Sequence, residues 1–148
     1  MTPEEILAAE ISRAHRFAHQ LAVVLLDLDR FKEINDSFGH AAGDVMLRAV
    51  SRLLTSLARQ GDTVARWGGE EFLVIVPGPC DFRILAERLR REIASLKFSH
   101  GAAPFGITVS IGVACAQPSE QIDQILKNAD RALYQSKRRK NTVSLSLI

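Results

Sequence analysis

The sequence predicts an α/β fold of the α+β kind, with a central five-stranded sheet flanked by helices. Three observations carry this. Residues 21–26, Leu-Ala-Val-Val-Leu-Leu, form an unbroken apolar run of strand length, as in a strand buried on both faces. The runs 63–67 and 71–76 enclose Gly68 and Gly69, the pattern of a β-hairpin. Longer segments with apolar residues at helical spacing alternate with these strands.

The first helix is expected over 4–18, with Ile6, Leu7, Ile11 and Phe17 set among polar positions. The first strand follows and stops at Asp27-Leu28-Asp29. Ile34 suggests a helical turn after it, and Asp29 reads more readily as that turn's N-cap than as a metal ligand. Met46, Val50, Leu53, Leu54 and Leu57 place a second helix at about 42–59, with Gly61 as its terminator. The hairpin comes next and is closed by Pro77-Gly78-Pro79. Phe82, Leu85, Leu89, Ile93 and Leu96 mark a third long helix. Ile107, Val109, Ile111 and Val113 alternate with Thr108, Ser110 and Gly112, as in a strand with one apolar face. Ile122, Ile125, Leu126, Ala129 and Leu133 mark a fourth helix, on which Tyr134 is expected in the core. Val143, Leu145 and Leu147 alternate in a short last strand. Trp67 reads as a packing residue, and His15 and His19 as surface helix positions.

The order strand–helix–strand–strand–helix–strand is the ferredoxin-like βαββαβ unit, extended here by one helix and one strand. A right-handed crossover makes the first strand parallel to the second, and the hairpin makes the third antiparallel to both. The first and third strands are then central neighbours running oppositely. Asp27, at the end of one, lands beside Glu70 and Glu71, at the start of the other.

The 148 residues fit one domain spanning 1–148, large enough for a proper core. Hydrophobic residues at 47% and charged residues at 24% are those of a soluble globule. A net charge of +2 is too small to argue for nucleic acid. No apolar run reaches the length of a membrane span, and Met1-Thr2-Pro3-Glu4-Glu5 has no signal-peptide pattern. Cys80 and Cys115 lack metal or disulfide spacing, so a cytoplasmic location is expected.

Clustered carboxylates repel one another unless a cation joins them. Magnesium takes one or two protein carboxylates and completes its shell with water and substrate phosphates. Free amides at the helical start Arg30-Phe31-Lys32 suit phosphate oxygens. Asn35 and Asp44 carry the donors and acceptors that complement a guanine edge. Each reading has a plain alternative: a glycine hairpin with solvated acids, a turn residue at Asn35, a helix-start residue at Asp44.

Four blocks together resemble the GGDEF family of diguanylate cyclases. They are Asp27 to Asp44 (Asp-Leu-Asp-Arg-Phe-Lys-Glu-Ile-Asn-Asp-Ser-Phe-Gly-His-Ala-Ala-Gly-Asp), Arg66 to Phe72 (Arg-Trp-Gly-Gly-Glu-Glu-Phe), Thr108 to Ala114, and Asp130 to Lys137. The resemblance covers roughly residues 10–145 and implies a nucleotide-cyclase-like fold. It implies condensation of two GTP molecules into cyclic di-GMP with release of pyrophosphate. It assigns Mg²⁺, two ions per active site with Mn²⁺ able to substitute, to the side chains of Asp27 and Glu70 and the carbonyl of Leu28. Glu71 is a further candidate ligand. Glu70 would help remove the proton of the attacking hydroxyl, sharing that duty with the metal. Asn35 and Asp44 would read guanine; backbone amides of Arg30, Phe31 and Lys32 would hold the terminal phosphates. Lys137 would add charge to the triphosphate, and Gly68 and Gly69 would let the hairpin pass close to the nucleotide.

The resemblance also implies a homodimer, because one domain holds one GTP and two bonds must form between two nucleotides. Arg59-Gln60-Gly61-Asp62 resembles the family's product-inhibition motif, so Arg59 and Asp62 would bind cyclic di-GMP, with Arg90 among the arginines available as a second contact. The usual opening block, Asp-x-Leu-Thr-Gly-Leu-x-Asn-Arg, is not found at Met1-Thr2-Pro3-Glu4, and no sensor domain is visible. The usual Lys-x-x-Gly-Arg-Asn reads Lys137-Arg138-Arg139-Lys140-Asn141, one residue shorter and without the glycine, so the arginine's phosphate contact falls to Lys140, to Arg139 or to neither. The competing expectation is a catalytically impaired domain that acts as a receptor for GTP or cyclic di-GMP.

Overall fold

Strand β1 (Leu21–Leu28) lies at the centre of a five-stranded sheet ordered β2-β3-β1-β6-β7. Its partners are β3 (Glu71–Pro77) and β6 (Val109–Ala116), both antiparallel to it. Strand β2 (Thr63–Arg66) pairs with β3, and β7 (Val143–Leu145) lies parallel to β6 at the other edge. This computed structural model describes residues 1–78, 81–100, 103–117 and 120–146. Pro79, Cys80 and Leu147, which figured in the sequence expectations, lie outside the described residues.

Alternation along the strands divides the core in two. Ala22, Val24, Leu26 and Leu28 face one layer, with α3 (His40–Leu57) and α4 (Phe82–Ala94). Leu21, Val23 and Leu25 face the other, with α1 (Pro3–Phe17) and α5 (Ile122–Arg139). The continuous apolar run of β1 therefore has its explanation in helices on both sides, and residues 21–26 are fully buried.

The expected topology and its antiparallel central pair are present; several local details differ. The turn after Asp29 is a two-turn helix, α2 (Phe31–Phe38), which abuts α3 through Gly39 at φ 89°. Helix α3 ends at Leu57, before Arg59, so Gly61 does not terminate it; at φ 96°, Gly61 sits in the turn that follows. His19 falls past the end of α1, and its ring hydrogen-bonds the Gln20 carbonyl. Tyr134 is largely exposed rather than in the core, while Trp67 packs against the α1–α5 layer as expected. A small hairpin, β4 (Phe98–His100) with β5 (Ala103–Phe105), was not foreseen; Phe105 stacks on Phe98 and on Phe38 of α2.

Strand β6 is buried on both faces, not one. Val109, Ile111 and Val113 enter the α3–α4 layer, which leaves Ser110, Gly112 and Ala114 against α5. Gly112 lets helix and strand backbones touch. A methyl there would run into the Leu133 amide and come within 2.6 Å of the Ala129 carbonyl oxygen. Neither atom is free to swing aside, since both belong to helix backbone. Gly112→Ala is expected to cost about 2–3 kcal/mol of stability, read as a lower midpoint in chemical denaturation. Gly69→Ala, where an added methyl meets nothing within 4 Å, is expected to leave that midpoint nearly unchanged.

Candidate active site

The end of β1 brings the acids together. Asp27 is paired in register with Glu71 on one side and Ser110 on the other. The Leu28 amide donates to the Glu70 carbonyl at 3.2 Å, which fixes the hairpin loop against β1. Asp27 continues the face of Leu21, Val23 and Leu25, and so points toward α5. Lys137, in the last turn of α5, meets it there. Its Nζ lies 2.9 Å from Asp27 Oδ1, 3.1 Å from Asp29 Oδ1 and 3.4 Å from the Leu28 carbonyl oxygen.

Asp29 is not a helix N-cap. That position falls to Arg30, whose φ of 56° is left-handed and whose side chain makes no capping bond. Asp29 turns inward instead and is 3% exposed. Its Oδ1 accepts from Ser110 Oγ at 2.6 Å and from Lys137; its Oδ2 accepts from Thr108 Oγ1 at 2.7 Å and the Asn141 amide at 2.8 Å. Two successive left-handed residues, Lys140 and Asn141, swing the chain round to present that amide. Spending Asp29 inward leaves α2 without a side-chain cap, so its first amides remain available to an outside acceptor.

The hairpin loop is held from within. Trp67 and Gly68 amides donate to the Glu71 carbonyl, and the Arg66 guanidinium donates to the carbonyls of Gly68 (3.3 Å) and Gly69 (2.5 Å). Gly68 and Gly69 have no left-handed φ, and open space surrounds Gly69. The fold itself does not demand a glycine at 69; its smallness matters on the open side.

That side is a cleft of about 500 Å³. Phe31, Lys32, Asn35 and Asp44 line one wall, and Gly69, Glu70 and Glu71 the other. Asn35 is seated by Gly43: a side chain at 43 would collide with the Asn35 amide oxygen and come within 2.9 Å of its Cγ. The Asn35 Oδ1 is buried and has no hydrogen-bond partner among the described residues. A neighbouring cavity of about 370 Å³ is lined by Asp29, Arg30, Thr108 and Lys140. Sequence reasoning did not single out Arg66, Gly43, or Thr108 and Ser110 as partners of Asp29.

The electrostatics separate the acids into two kinds. Burial works to raise the Asp29 carboxyl, but hydrogen bonds from Ser110, Thr108, the Asn141 amide and Lys137 outweigh it and hold it below the ordinary range. Glu70 is raised by burial and then by the charge of Asp27. Glu71 is raised by burial, then by Asp27, Asp130 and Glu70. Lys137 opposes both rises. Burial works to lower its own ammonium, but its contacts with Asp27 and Asp29 prevail and raise it.

A hard cation fits these donors. Asp27 Oδ1 is buried, and the Lys137 ammonium 2.9 Å from it acts as a stand-in positive charge. Carboxylate and carbonyl oxygens are the donor set of magnesium. Among the described residues no three acidic, His or Cys side chains gather around one point. An ion there must therefore draw part of its shell from main chain, water and a substrate.

Arg59, Asp62 and Arg90 form no part of this cleft. Asp62 accepts from the Arg59 amide at 2.8 Å and pairs with its guanidinium at 3.5 Å. Arg90, on α4, bonds Glu87 and the Asn141 side chain, each at 2.9 Å. No hydrogen bond or ion pair among the described residues joins it to Arg59 or Asp62. No helix among the described residues is long and apolar enough to cross a membrane.

This five-stranded sheet with helices on both faces is a fold shared with known proteins. The family model "Diguanylate cyclase, GGDEF domain" matches residues 2–142. Diguanylate cyclase DgcP of Pseudomonas aeruginosa is 42% identical over 136 residues, which covers 90% of this chain and 20% of that protein. Diguanylate cyclase DgcM of Escherichia coli is 48% identical over 122 residues, covering 81% of this chain and 29% of that one. The solved GGDEF domain of DgcB from Caulobacter crescentus, in complex with c-di-GMP, is 33% identical with a TM-score of 0.86, over 96% of this chain and 89% of the other. The chain belongs to the GGDEF domain family. It spans less than a third of the length of either curated relative.

The raised glutamates set a sign for stability. Where the folded-state value of an acid lies above its unfolded value, the unfolded chain releases its proton first. Stability then falls as pH climbs from the ordinary carboxylate range through the raised one. Glu71→Gln removes that loss. In metal-free buffer the variant is expected to melt a few degrees above the parent at neutral pH, with the gap closing below the ordinary glutamate range, read by calorimetry across about pH 4 to 8.

Proposed function

We propose that this chain is a diguanylate cyclase domain that joins two GTP molecules into cyclic di-GMP and releases pyrophosphate. The observation that carries the reading is the single cleft in which Asn35 and Asp44 face Glu70 and Glu71, with Asp27 and Lys137 at the adjoining strand end. Membership in the GGDEF family and the identity to proteins named diguanylate cyclases support it.

Each residue has a task set by its place. Asn35, seated against Gly43, and Asp44 hydrogen-bond the guanine edge. The uncapped amides of α2 at Arg30, Phe31 and Lys32 receive phosphate oxygens, and Lys137 and Lys140 add positive charge. Asp27, Glu70 and the Leu28 carbonyl, with Glu71 beside them, hold the divalent cations, Mg²⁺ or Mn²⁺, two per site. When bound, those ions neutralise phosphate charge and stabilise both the attacking and the leaving oxygens. Glu70, at the hairpin rim of the cleft, helps remove the proton of the ribose 3′-hydroxyl, a duty it would share with the bound cation. The bond from that oxygen to the α-phosphorus of the other GTP forms as the bond to pyrophosphate breaks. Gly68 and Gly69 keep the hairpin close to the reacting groups.

Both linkages of the product require the same attack from each nucleotide. Two copies of the domain face one another, each presenting one GTP, so a homodimer is the catalytic unit. Arg59 and Asp62 form a separate site for the product, which limits its own synthesis; DgcB's GGDEF domain, solved with c-di-GMP, supports product binding. Arg90 joins that site by giving up Glu87 or Asn141.

Incubation with GTP and Mg²⁺ at high protein concentration, followed by chromatography, is expected to yield cyclic di-GMP and pyrophosphate. GTP binding without product would instead leave a receptor. Glu70→Gln should reduce turnover by at least about 10²-fold without lowering the melting temperature. Arg59→Ala should let product build up past the level at which the parent stalls; identical progress curves would remove the inhibitory role of Arg59.

A further inference from the structure

Lys137 makes contacts that a role at the triphosphate does not require. It reaches from the last turn of α5 to within 2.9 Å of Asp27 Oδ1 and 3.4 Å of the Leu28 carbonyl oxygen. Those two groups are among the donors assigned above to a divalent cation. Asp27 Oδ1 is buried, and the Lys137 ammonium 2.9 Å away is the partner that meets it among the described residues, so this oxygen relies on the lysine rather than on a network of other donors. Asp29 differs: Ser110, Thr108 and the Asn141 amide bond it independently of the lysine. The ammonium therefore touches one acid that it serves alone among the described residues and one that has three further donors.

A monovalent ammonium and a divalent ion cannot both rest against Asp27 and Leu28 without strong mutual repulsion. The lysine has somewhere else to go. Its contact with Asp29 lies on the same side, 3.1 Å away, and holds the side chain at the site once Asp27 is released. An incoming triphosphate supplies the negative charge that makes the release favourable.

We propose that Lys137 is the resident counter-cation of the metal site, which neutralises Asp27, excludes a divalent ion from its oxygens, and shifts onto phosphate when a nucleoside triphosphate arrives. Metal and nucleotide then load together. Free Mg²⁺ is kept from settling on the acids in a geometry that a triphosphate would have to undo. The inference rests on the assignment of Asp27 and Leu28 as metal donors made under the proposed function.

The test is a calorimetric titration of Mn²⁺ into the nucleotide-free protein. Lys137→Met removes the charge and keeps much of the length; it is expected to bind Mn²⁺ at least about tenfold more tightly than the parent, as loss of a unit charge near the ion should give. Lys137→Arg, which keeps the charge, is expected to stay close to the parent. Lys137→Gln serves as a second neutral variant should the methionine fail to fold. Mn²⁺ should raise the melting temperature of the neutral variant more than that of the parent.

Neutral variants that bind Mn²⁺ no more tightly than the parent overturn the proposal. A repeat with a non-hydrolysable GTP analogue separates it from the functional reading. Parent protein that binds Mn²⁺ with the analogue, beside a neutral variant unchanged without it, removes the counter-cation role and leaves the metal site standing. No Mn²⁺ binding by parent or variant, with or without the analogue, removes the metal site and the proposed chemistry together.

Discussion

A carboxylate taken out of water must be given back its hydrogen bonds, and in this molecule that requirement falls on Asp29. Its donors come from three separate places: Thr108 just before β6 and Ser110 within it, Lys137 at the end of α5, and the Asn141 amide in the turn beyond. Its own amide donates to the Thr108 carbonyl at 2.9 Å. Burying an unpaired charge is costly enough that these segments must converge whenever Asp29 is ionised. Their convergence fixes where β1 stops, where α5 ends and how α2 begins. The acids of the cleft are arranged around that fixed point.

The charge pattern follows from the same division. Asp29 spends its charge inside the protein and is stabilised in the ionised form. Glu70 and Glu71 sit at the rim with burial and neighbouring acids working against their charge. One acid serves the fold, and the others remain in deficit toward an outside partner. Lys137 touches Asp29 and Asp27, and its charge also opposes the rise of both glutamates. The cleft is thus poised for positive charge without relying on acids that the fold has already consumed.

Much of this was legible in the sequence, for reasons that differ by residue. The apolar run of β1 and the glycine hairpin required a central antiparallel pair, and that pairing alone puts Asp27 beside Glu71. Long-range networks left weaker traces. Ser110 looked like the solvent side of an alternating strand, because alternation cannot tell a polar face toward water from one toward a buried carboxylate. Asp29 looked like an N-cap, since the residue type suits both tasks and only its partners, 79 to 112 positions away, decide between them. Gly61 resembled a helix stop because the chain turns there, though the helix had already ended. Tyr134 lies one position round α5 from buried Leu133, and that single step carries it from the core to water. The β4–β5 hairpin had only three residues per strand, too few to establish a period.

The bond from the Asn141 amide to Asp29 joins residues 112 positions apart in a chain of 148. During synthesis the β1 acids emerge long before the lysine and the amide that complete their surroundings. No ribosome-bound fragment that stops short of residue 141 can assemble this corner, whatever secondary structure it has gained. The corner beside the cleft is therefore completed late, and a chain cut in that final stretch would keep most of its core while losing the bonds that Lys137 and the Asn141 amide make to Asp29.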